Sequence, residues 1–415
     1  MLANSFFVVL LAALISEFAL RMVADLLNLK ALRLEPPADL ADIYERDAYR
    51  NSQEYTRTNL RFHIAANAFM LAVILGFWLS GGFGFLDGLV RGWGLDPVPS
   101  GLAYIGLLVA GYALLGLPFS VYHTFVIEER FGFNRTTPRI FVLDRVKGFG
   151  LAGVVGGALL AGVLALFRYA GSYAWLYCWA AVTLFTLAMQ FVVPRWVMPL
   201  FNRFTPMEEG ELKDAILAYA GSVDFSVKDV YVMDGSKRST KSNAFFTGLG
   251  RDRRVALFDT LIERHTIDEL VAVLAHEVGH YKRKHVLKGV LLSVLHTGVF
   301  FFLLSLVLGA PGVYHALYVP QLSVYVGLVY MALLYGPLEL FLSTIINAVS
   351  RKHEYEADRF AATTVRSPAS LSRALRKLAA DNFSNLTPHP FYVLLYYSHP
   401  PLRQRLRAMA SERTE

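Results

Sequence analysis

Seven long apolar stretches, separated by polar segments, set the pattern of this sequence. Each is long enough to cross a lipid bilayer as a helix, because a crossing needs about 20 mostly apolar residues. The stretches lie at roughly 5–26, 63–86, 101–122, 148–168, 173–195, 286–310 and 322–349. The pattern predicts a polytopic membrane protein with seven transmembrane helices.

The composition agrees with a membrane protein and excludes several other classes. Hydrophobic residues make up 55% of the 415-residue chain and charged residues 18%, whereas soluble domains average about 45–50% and about 25%. This balance excludes a disordered, fibrous or nucleic-acid-binding protein. The only cysteine, Cys178, lies within an apolar stretch, so a disulfide framework is excluded as well.

The basic residues indicate which loops face the cytoplasm. The net charge is +7, and Lys and Arg are frequent in loops 27–62 and 123–147 but missing from 169–172 and 311–321. Lys and Arg concentrate in the cytoplasmic loops of membrane proteins. We therefore expect the N-terminus outside, and the C-terminus and the long polar segment 196–285 in the cytoplasm.

That polar segment, 196–285, has the pattern of a small α+β insert. An amphipathic helix is expected at 208–221. Three short strands are expected after it, at Val230–Met233, Asn243–Gly248 and Val255–Ile262. The last of these strands leads into a further helix.

This further helix carries a metal-binding motif. It opens with the capping-box sequence Thr266-Ile267-Asp268-Glu269, and we expect it to continue into the sixth span. The motif is His276-Glu277-Val278-Gly279-His280. Residues four apart share a helix face, so both imidazoles can reach one Zn²⁺ while Glu277 lies beside its water ligand. The metal lowers the pKa of that water to about 7, and Glu277 can take its proton for attack on a peptide carbonyl.

The third zinc ligand is expected at the end of the seventh span. A catalytic zinc needs a third protein ligand and one open position. The candidate is Glu354, four residues before Asp358, which on a continuing helix shares its face and can accept the free N–H of a ligand histidine. Glu356 is expected to point elsewhere. The alternative interpretation is a charged helix end at the membrane surface.

Other histidines need separate interpretations. We interpret His285 and His296 as structural and His353 as interfacial. His399 precedes two prolines, and a basic helix with Arg405 begins after them. These two side chains can donate hydrogen bonds to the oxyanion of a tetrahedral intermediate, or they belong to a simple loop with an Arg-rich tail.

Several motifs together give the chain a family resemblance. The motifs are Phe125–Asn134, Pro199–Pro206, Asn243–Gly248, His276–His280, Glu354–Asp358 and Ser398–Leu402. With them the chain resembles, over nearly its whole length, the type I CAAX prenyl proteases, integral-membrane zinc metalloproteases that process farnesylated peptides and prelamin A. Its shorter length suggests a bacterial member, in which the physiological peptide can differ.

The resemblance implies roles for individual residues. It makes His276, His280 and Glu354 the ligands of one Zn²⁺ per chain, and Glu277 the general base. It implies that Asn243 contacts the substrate backbone. It also implies that His399 and Arg405 stabilise the transition state. The family fold has seven helices around a large water-filled chamber that the zinc site faces.

Three alternatives remain beside this interpretation. The first is an HtpX-like membrane-protein quality-control protease, which shares the zinc motif but is shorter and has fewer spans. The second is a non-enzymatic membrane chaperone or scaffold with structural zinc, although structural zinc is closed by four ligands. The third is a transporter, suggested by intramembrane charges such as Glu339, without the paired broken-helix repeats of that class.

The sequence thus predicts an all-α polytopic membrane protein with a gluzincin-like α+β protease insert on the cytoplasmic side. Its expected parts are five transmembrane helices (1–195), the insert with the zinc-binding helix (196–285), helices six and seven (286–349) and a C-terminal helical region with the third ligand (350–415). The expected partners are a peptide or prenylated peptide and the lipid bilayer, without nucleic acid. The expected location is the inner membrane in bacteria and the endoplasmic reticulum in eukaryotic relatives.

Overall fold

The chain folds into long apolar helices joined to a small α+β unit. The structure, a computed structural model, describes residues 4–247, 254–367 and 369–411. Within these residues, seven helical segments are long and apolar enough to cross a membrane. They are Ser5–Ala31, Arg46–Leu79, Pro97–Glu128, Pro138–Tyr169, Gly171–Phe201, His285–Leu308 and Val324–Thr364. The predicted set of seven spans is confirmed.

Seventeen α-helices occur in the described part of the chain. The first eight are α1 (Ser5–Ala31), α2 (Arg46–Leu79), α3 (Gly82–Arg91), α4 (Pro97–Tyr122), α5 (Pro138–Leu151), α6 (Gly157–Tyr169), α7 (Ala174–Val192) and α8 (Met198–Phe201). The others are α9 (Glu211–Ser222), α10 (Asp259–Arg264), α11 (Ile267–Lys282), α12 (His285–Leu308), α13 (Pro311–Ala316), α14 (Val324–Thr364), α15 (Ala369–Asp381), α16 (Pro390–Tyr396) and α17 (Leu402–Ser411).

The second span differs from its prediction. The apolar stretch 63–86 was expected to be one helix, but α2 ends at Leu79 and α3 begins at Gly82. Gly81 between them has a φ of 79°, a left-handed conformation that glycine adopts without steric cost. The residues on both sides of this turn are apolar, so the hydrophobic pattern continues across it and does not reveal it.

The membrane helices are fastened to one another by buried polar contacts as well as by packing. The indole of Trp78 on α2 is fully buried and donates a 2.7 Å hydrogen bond to the carbonyl of Ala316 on α13. Tyr325 on α14 donates to the carboxylate of Asp87 on α3 at 2.7 Å, and Arg91 pairs with the same carboxylate at 2.7 Å. The Trp78 indole and the Asp87 carboxylate, both buried, therefore have hydrogen-bonding partners on neighbouring helices, as burial requires.

The α+β unit contains a four-stranded sheet in the order β1-β2-β4-β3. The strands are β1 (Phe204–Pro206), β2 (Asp229–Met233), β3 (Ala244–Thr247) and β4 (Arg254–Phe258). β2 and β4 are parallel, whereas β1 pairs with β2 and β3 with β4 in antiparallel fashion. Strand β3 therefore forms one edge of the sheet.

The predicted elements of this unit are found with two corrections. The predicted strand Val255–Ile262 ends at Phe258, because α10 starts at Asp259, whose carboxylate accepts the backbone N–H of Thr260 at 2.8 Å. Gly248, the predicted end of the preceding strand, lies outside the described residues. Strand β1 was not predicted.

The helix that carries the metal motif, α11, begins as predicted but does not run into the sixth span. The Thr266 side chain accepts the N–H of Glu269, and the Glu269 carboxylate accepts the N–H of Thr266, so both halves of the capping box are present. The helix ends at Lys282, and Lys284 has a φ of 58°. This turn redirects the chain before α12, so the prediction of one continuous helix was wrong.

Candidate metal centre and active site

Two helices meet closely at the predicted metal motif. Helix α14 is 41 residues long and extends beyond the apolar part of the seventh span to pass α11. At the crossing, a Cβ on Gly279 would lie 3.0 Å from the Cα and 3.1 Å from the carbonyl oxygen of Ala357. Glycine at this position lets the two backbones approach and brings Glu354 within reach of α11.

Three potential ligands converge at this crossing. One ligand atom each of His276, His280 and Glu354 lies within 4.8 Å of the other two. The Nε2 atoms of the two histidines are 3.2 Å apart. The Glu354 carboxylate lies 3.3 Å from Nε2 of His276 and 3.2 Å from Nε2 of His280. The structure therefore brings together the three residues predicted to bind zinc, from two separate helices.

The electrostatics of the cluster fit a bound cation. Glu354 is only 3% exposed, and its Oε2 atom lies 3.3 Å from Nε2 of His276 and 3.6 Å from Nη1 of Arg405. Burial lowers the pKa of the His276 imidazole, but hydrogen bonds to Asp358 and Glu354 outweigh it and raise the pKa to about 9. The buried carboxylates thus hold a positive charge in place, as a divalent cation would be held.

The outer nitrogen of His276 is held by a charged pair. Its Nδ1 lies 2.9 Å from Oδ1 of Asp358, as predicted for an outer partner of a ligand histidine. Arg405 donates two hydrogen bonds to this same carboxylate, at 2.8 and 2.5 Å. Arg405 is 8% exposed, and Nη1 lies 3.6 Å from Glu354. The Arg405 guanidinium is therefore built into the buried carboxylate cluster.

The outer nitrogen of His280 is held by residues that the sequence interpretation left aside. Nδ1 of His285 lies 3.1 Å from Nδ1 of His280, and Nε2 of His285 lies 3.0 Å from the carboxylate of Glu356. His353 stacks on His285 with ring centroids 4.0 Å apart. If His280 donates its Nδ1–H, its Nε2 keeps a free lone pair on the cluster side.

Glu277 lies between the two motif histidines on α11. It is half-buried, and none of the described residues forms a hydrogen bond or ion pair with its carboxylate. Its negative charge contributes to raising the pKa of Arg405, after the larger effects of burial, which lowers that pKa, and of Asp358 and Glu354.

His399 stands at the open side of the cluster. Its Nε2 is 3.4 Å from Oε1 of Glu354, and its side chain is 63% exposed. Nδ1 of His399 lies 3.0 Å from the hydroxyl of Ser398. The two residues predicted to act together are thus in different surroundings, since the His399 side chain is exposed and that of Arg405 is buried.

Asn243, the predicted substrate contact, lies at the start of the edge strand. It is exposed, and its side-chain oxygen accepts the N–H of Ala244 at 2.8 Å. The preceding residue, Ser242, exchanges two hydrogen bonds between its backbone and the carboxamide of Asn382, at 3.2 and 3.3 Å. Asn382 therefore fixes the backbone directly before β3.

Three contributors to the site were missed in the sequence, and each left a weak signal. Gly279 is a glycine inside a predicted helix, a position that usually implies close packing. His285 comes five residues after His280, a spacing that would put it on another face of one continuous helix. The turn at Lys284 places it beside His280 instead. Glu356 lies on a different face of α14 from Glu354, so its role becomes visible only once His285 is known to contact it.

Two family models match consecutive parts of the chain. A family model described as the CAAX prenyl protease N-terminal region, with five membrane helices, matches residues 25–203. A model of peptidase family M48 matches residues 206–413.

Relatives and a solved structure match over most of the chain. CAAX prenyl protease 1 of Saccharomyces cerevisiae is 34% identical over 400 residues, which cover 90% of this chain and 88% of the yeast protein. The Homo sapiens CAAX prenyl protease 1 homolog is 30% identical over 419 residues, covering 90% and 88%. The crystal structure of S. mikatae Ste24p superposes with a TM-score of 0.92 at 32% identity, covering 97% of this chain and 99% of that one.

Proposed function

The chain belongs to the CAAX prenyl protease family of M48 membrane zinc metalloproteases, and on this premise we propose that His276, His280 and Glu354 bind one catalytic Zn²⁺. The observation that carries the proposal is the convergence of two imidazoles from α11 and one carboxylate from α14. Two histidines and a glutamate, with one position left open, are a ligand set of zinc peptidases. When bound, a zinc ion supplies Lewis acidity toward a water molecule and a peptide carbonyl group.

Glu277 is the general base in this proposal. Glu277 directly follows His276 in the motif, and its carboxylate has no competing partner among the described residues, so it can take a proton from the attacking water. The same carboxylate can then deliver the proton to the leaving amine nitrogen. Its position between the two ligand histidines keeps both transfers within the reach of one side chain.

Two hydrogen-bond networks outside the metal cluster position the ligand imidazoles. Asp358 accepts the Nδ1–H of His276, and Arg405 fixes Asp358 through its bidentate contact. His285 accepts the Nδ1–H of His280 and donates its Nε2–H to Glu356. Both networks favour the imidazole tautomer of His276 and His280 in which Nδ1 carries the proton and Nε2 is free for the metal.

His399 is the better placed of the two predicted oxyanion donors. Its exposed imidazole stands beside Glu354, where a substrate carbonyl oxygen can approach and accept a hydrogen bond. Arg405 is buried, and its guanidinium already donates hydrogen bonds to the carboxylate of Asp358. We therefore assign Arg405 a positioning role and keep the direct role for His399.

The substrate is proposed to be a peptide, with or without a prenyl group. An extended peptide can pair with the open edge of β3 through backbone hydrogen bonds, and Asn243 at its start can contact the peptide backbone. The names of the relatives support a prenylated CAAX peptide. Backbone pairing depends little on the side chains of the peptide, so a lipid-binding surface in the chamber that the family resemblance implies would supply selectivity.

Orientation and domain organisation follow the same proposal. The protein is a multi-pass membrane protein, and the positive charge of loops 27–62 and 123–147 supports a catalytic side in the cytoplasm. The membrane is the inner membrane if the source is bacterial. The four-part division at 195, 285 and 349 is retained as part of this proposal.

An HtpX-like quality-control protease would share the zinc motif, but this alternative does not account for the N-terminal membrane helices. The match of residues 25–203 to a five-helix CAAX prenyl protease region supports the prenyl-protease assignment. A scaffold with structural zinc is disfavoured because only three ligands converge in the described residues.

The test compares two substrates and one variant. Purified protein is incubated with a farnesylated CAAX peptide or with an unfolded membrane protein, and the cleavage products and zinc content are measured. We expect cleavage of the farnesylated peptide, its loss on chelation and its recovery with Zn²⁺. Glu277→Gln should lower kcat by about 10²–10⁴-fold with zinc content unchanged.

Each alternative outcome contradicts a distinct part of the proposal. Cleavage of the unfolded membrane protein alone would favour the HtpX-like function. Full activity of Glu277→Gln would contradict the assignment of Glu277 as general base. Loss of zinc from this variant would contradict the proposal that Glu277 is not a zinc ligand.

A further inference from the structure

A basic cleft lies outside the metal centre, where the end of α1 meets α14, α16 and α17. Its volume is about 690 Å³. Its basic lining residues are Lys30, Arg33, Arg351, Arg403 and Arg407. We call this space the basic cleft.

The basic cleft has a large excess of positive charge. Five of its fifteen described lining residues are Lys or Arg, and none of the fifteen is Asp or Glu. Asp39 pairs with Arg403 at 2.8 Å and with Arg407 at 3.2 Å, but no ion pair in the described residues engages Lys30 or Arg33. The cleft is therefore complementary to an anion.

The walls of the cleft are held in place by hydrogen bonds. Asn28, buried on α1, accepts the N–H of His389 at 3.0 Å, and the Thr387 hydroxyl donates to the carbonyl of Ala31 at 3.2 Å. Arg351 donates to the carbonyl of Tyr397 at 2.6 Å. The cations thus surround a space that exists before any ligand enters.

The position of the cleft points to the membrane surface. Lys30 is the last residue but one of the first spanning segment, so the cleft opens where α1 leaves the apolar layer. On its other side, Val393 and Leu394 of α16 line it, and Leu394 is 42% exposed.

From these observations we propose that the basic cleft binds the phosphate headgroup of an anionic phospholipid. The cations face the phosphate, and the apolar wall of α16 packs beside the start of the acyl chains. Basic pockets at the ends of transmembrane helices suit anionic headgroups in this way. A soluble anion would use the same cations but would not need the exposed apolar side chain of Leu394 beside them.

The test measures lipid binding by the full-length protein and a matched pair of double variants. Native mass spectrometry counts phosphatidylglycerol or phosphatidylcholine bound to protein taken from mixed vesicles of the two lipids. The cleft variant is Lys30→Gln with Arg33→Gln. The control is Arg135→Gln with Arg139→Gln, which removes the same charge from exposed positions of another basic loop.

We expect the unchanged protein and the control to retain phosphatidylglycerol in preference to phosphatidylcholine. The cleft variant should bind phosphatidylglycerol about thirtyfold more weakly, as expected for the loss of two cations near a phosphate. Its peptidase activity should persist, because neither residue belongs to the metal centre, and this activity also shows that the variant is folded.

Three results would overturn the proposal. The first is equal retention of the two lipids by the unchanged protein. The second is an equal loss in the control, which would indicate surface charge without a site. The third is displacement of phosphatidylglycerol by inorganic phosphate at matched concentration, which would indicate a site for a soluble anion.

Discussion

Gly279 lies against the backbone of Ala357, so that a methyl group on Gly279 would come within 3.0 Å of the Ala357 Cα atom. This contact sets the separation of the helix that carries His276 and His280 from the helix that carries Glu354. The absence of a side chain at Gly279 therefore lets two parts of the chain, far apart in sequence, approach closely enough to bring Glu354 to His276 and His280.

Gly279→Ala should push the two helices apart. We expect a loss of about 1–3 kcal/mol of stability from overpacking, and faster loss of metal because Glu354 no longer reaches both histidines. Zinc retention against a chelator and the unfolding temperature in detergent would measure the two effects.

Gly289→Ala is the matched control for this variant. Gly289 is also inside a helix, but a Cβ there would meet no atom within 4 Å. Alanine favours a helix over glycine by about 1 kcal/mol, so this variant should keep its zinc and its stability. Equal zinc loss in both variants would contradict the role assigned to the Gly279 contact.

Local patterns were enough to predict much of the fold and of the site. Spans are visible as long apolar stretches, and the start of α11 is visible in its capping box. The four-residue spacing of His276 and His280 places them on one helix face, and the same argument relates Glu354 to Asp358. Each of these predictions uses only residues close in sequence.

Long-range relationships could not be predicted in this way. Strand β1 contains Pro206 and spans three residues, so its own sequence is not strand-like, and it forms by pairing with β2. The turn at Lys284 has no glycine to mark it. The contacts of Arg405 with Asp358 and of His285 with Glu356 depend on which helices pack together, which no local pattern specifies.

Glu356→Leu should weaken zinc binding although Glu356 does not reach the metal cluster. Without the carboxylate, His285 loses its Nε2–H acceptor, and its hold on the outer nitrogen of His280 loosens. Loss of such an outer partner typically costs 10–100-fold in metal affinity. Competition with a chelator measures this loss separately from activity.

Glu356→Gln provides the comparison, because its side-chain oxygen can still accept the hydrogen bond from His285. We expect it to retain most of the zinc affinity. If Glu356→Leu bound zinc as tightly as the unchanged protein, the chain from Glu356 through His285 to His280 would have no positioning role.

Thr266→Ala should destabilise the start of α11. The variant loses the side-chain oxygen that accepts the N–H of Glu269, and removal of such a cap costs about 1 kcal/mol. The unfolding temperature should fall, whereas the exposed helical Thr363 should tolerate alanine. Equal stability of the two variants would show that the capping box contributes little to this protein.

Arg405→Lys and His399→Ala separate positioning from transition-state stabilisation. Lysine keeps the charge of Arg405 but cannot reproduce the bidentate contact with Asp358, so zinc retention and kcat should both decrease. His399→Ala should keep its zinc while kcat falls by about 10²–10³-fold, as for the loss of one oxyanion donor. Zinc content and kcat are measured for both variants. The opposite pattern, with zinc lost from His399→Ala and retained in Arg405→Lys, would reverse the two roles, because a residue that acts only on the transition state leaves metal binding unchanged.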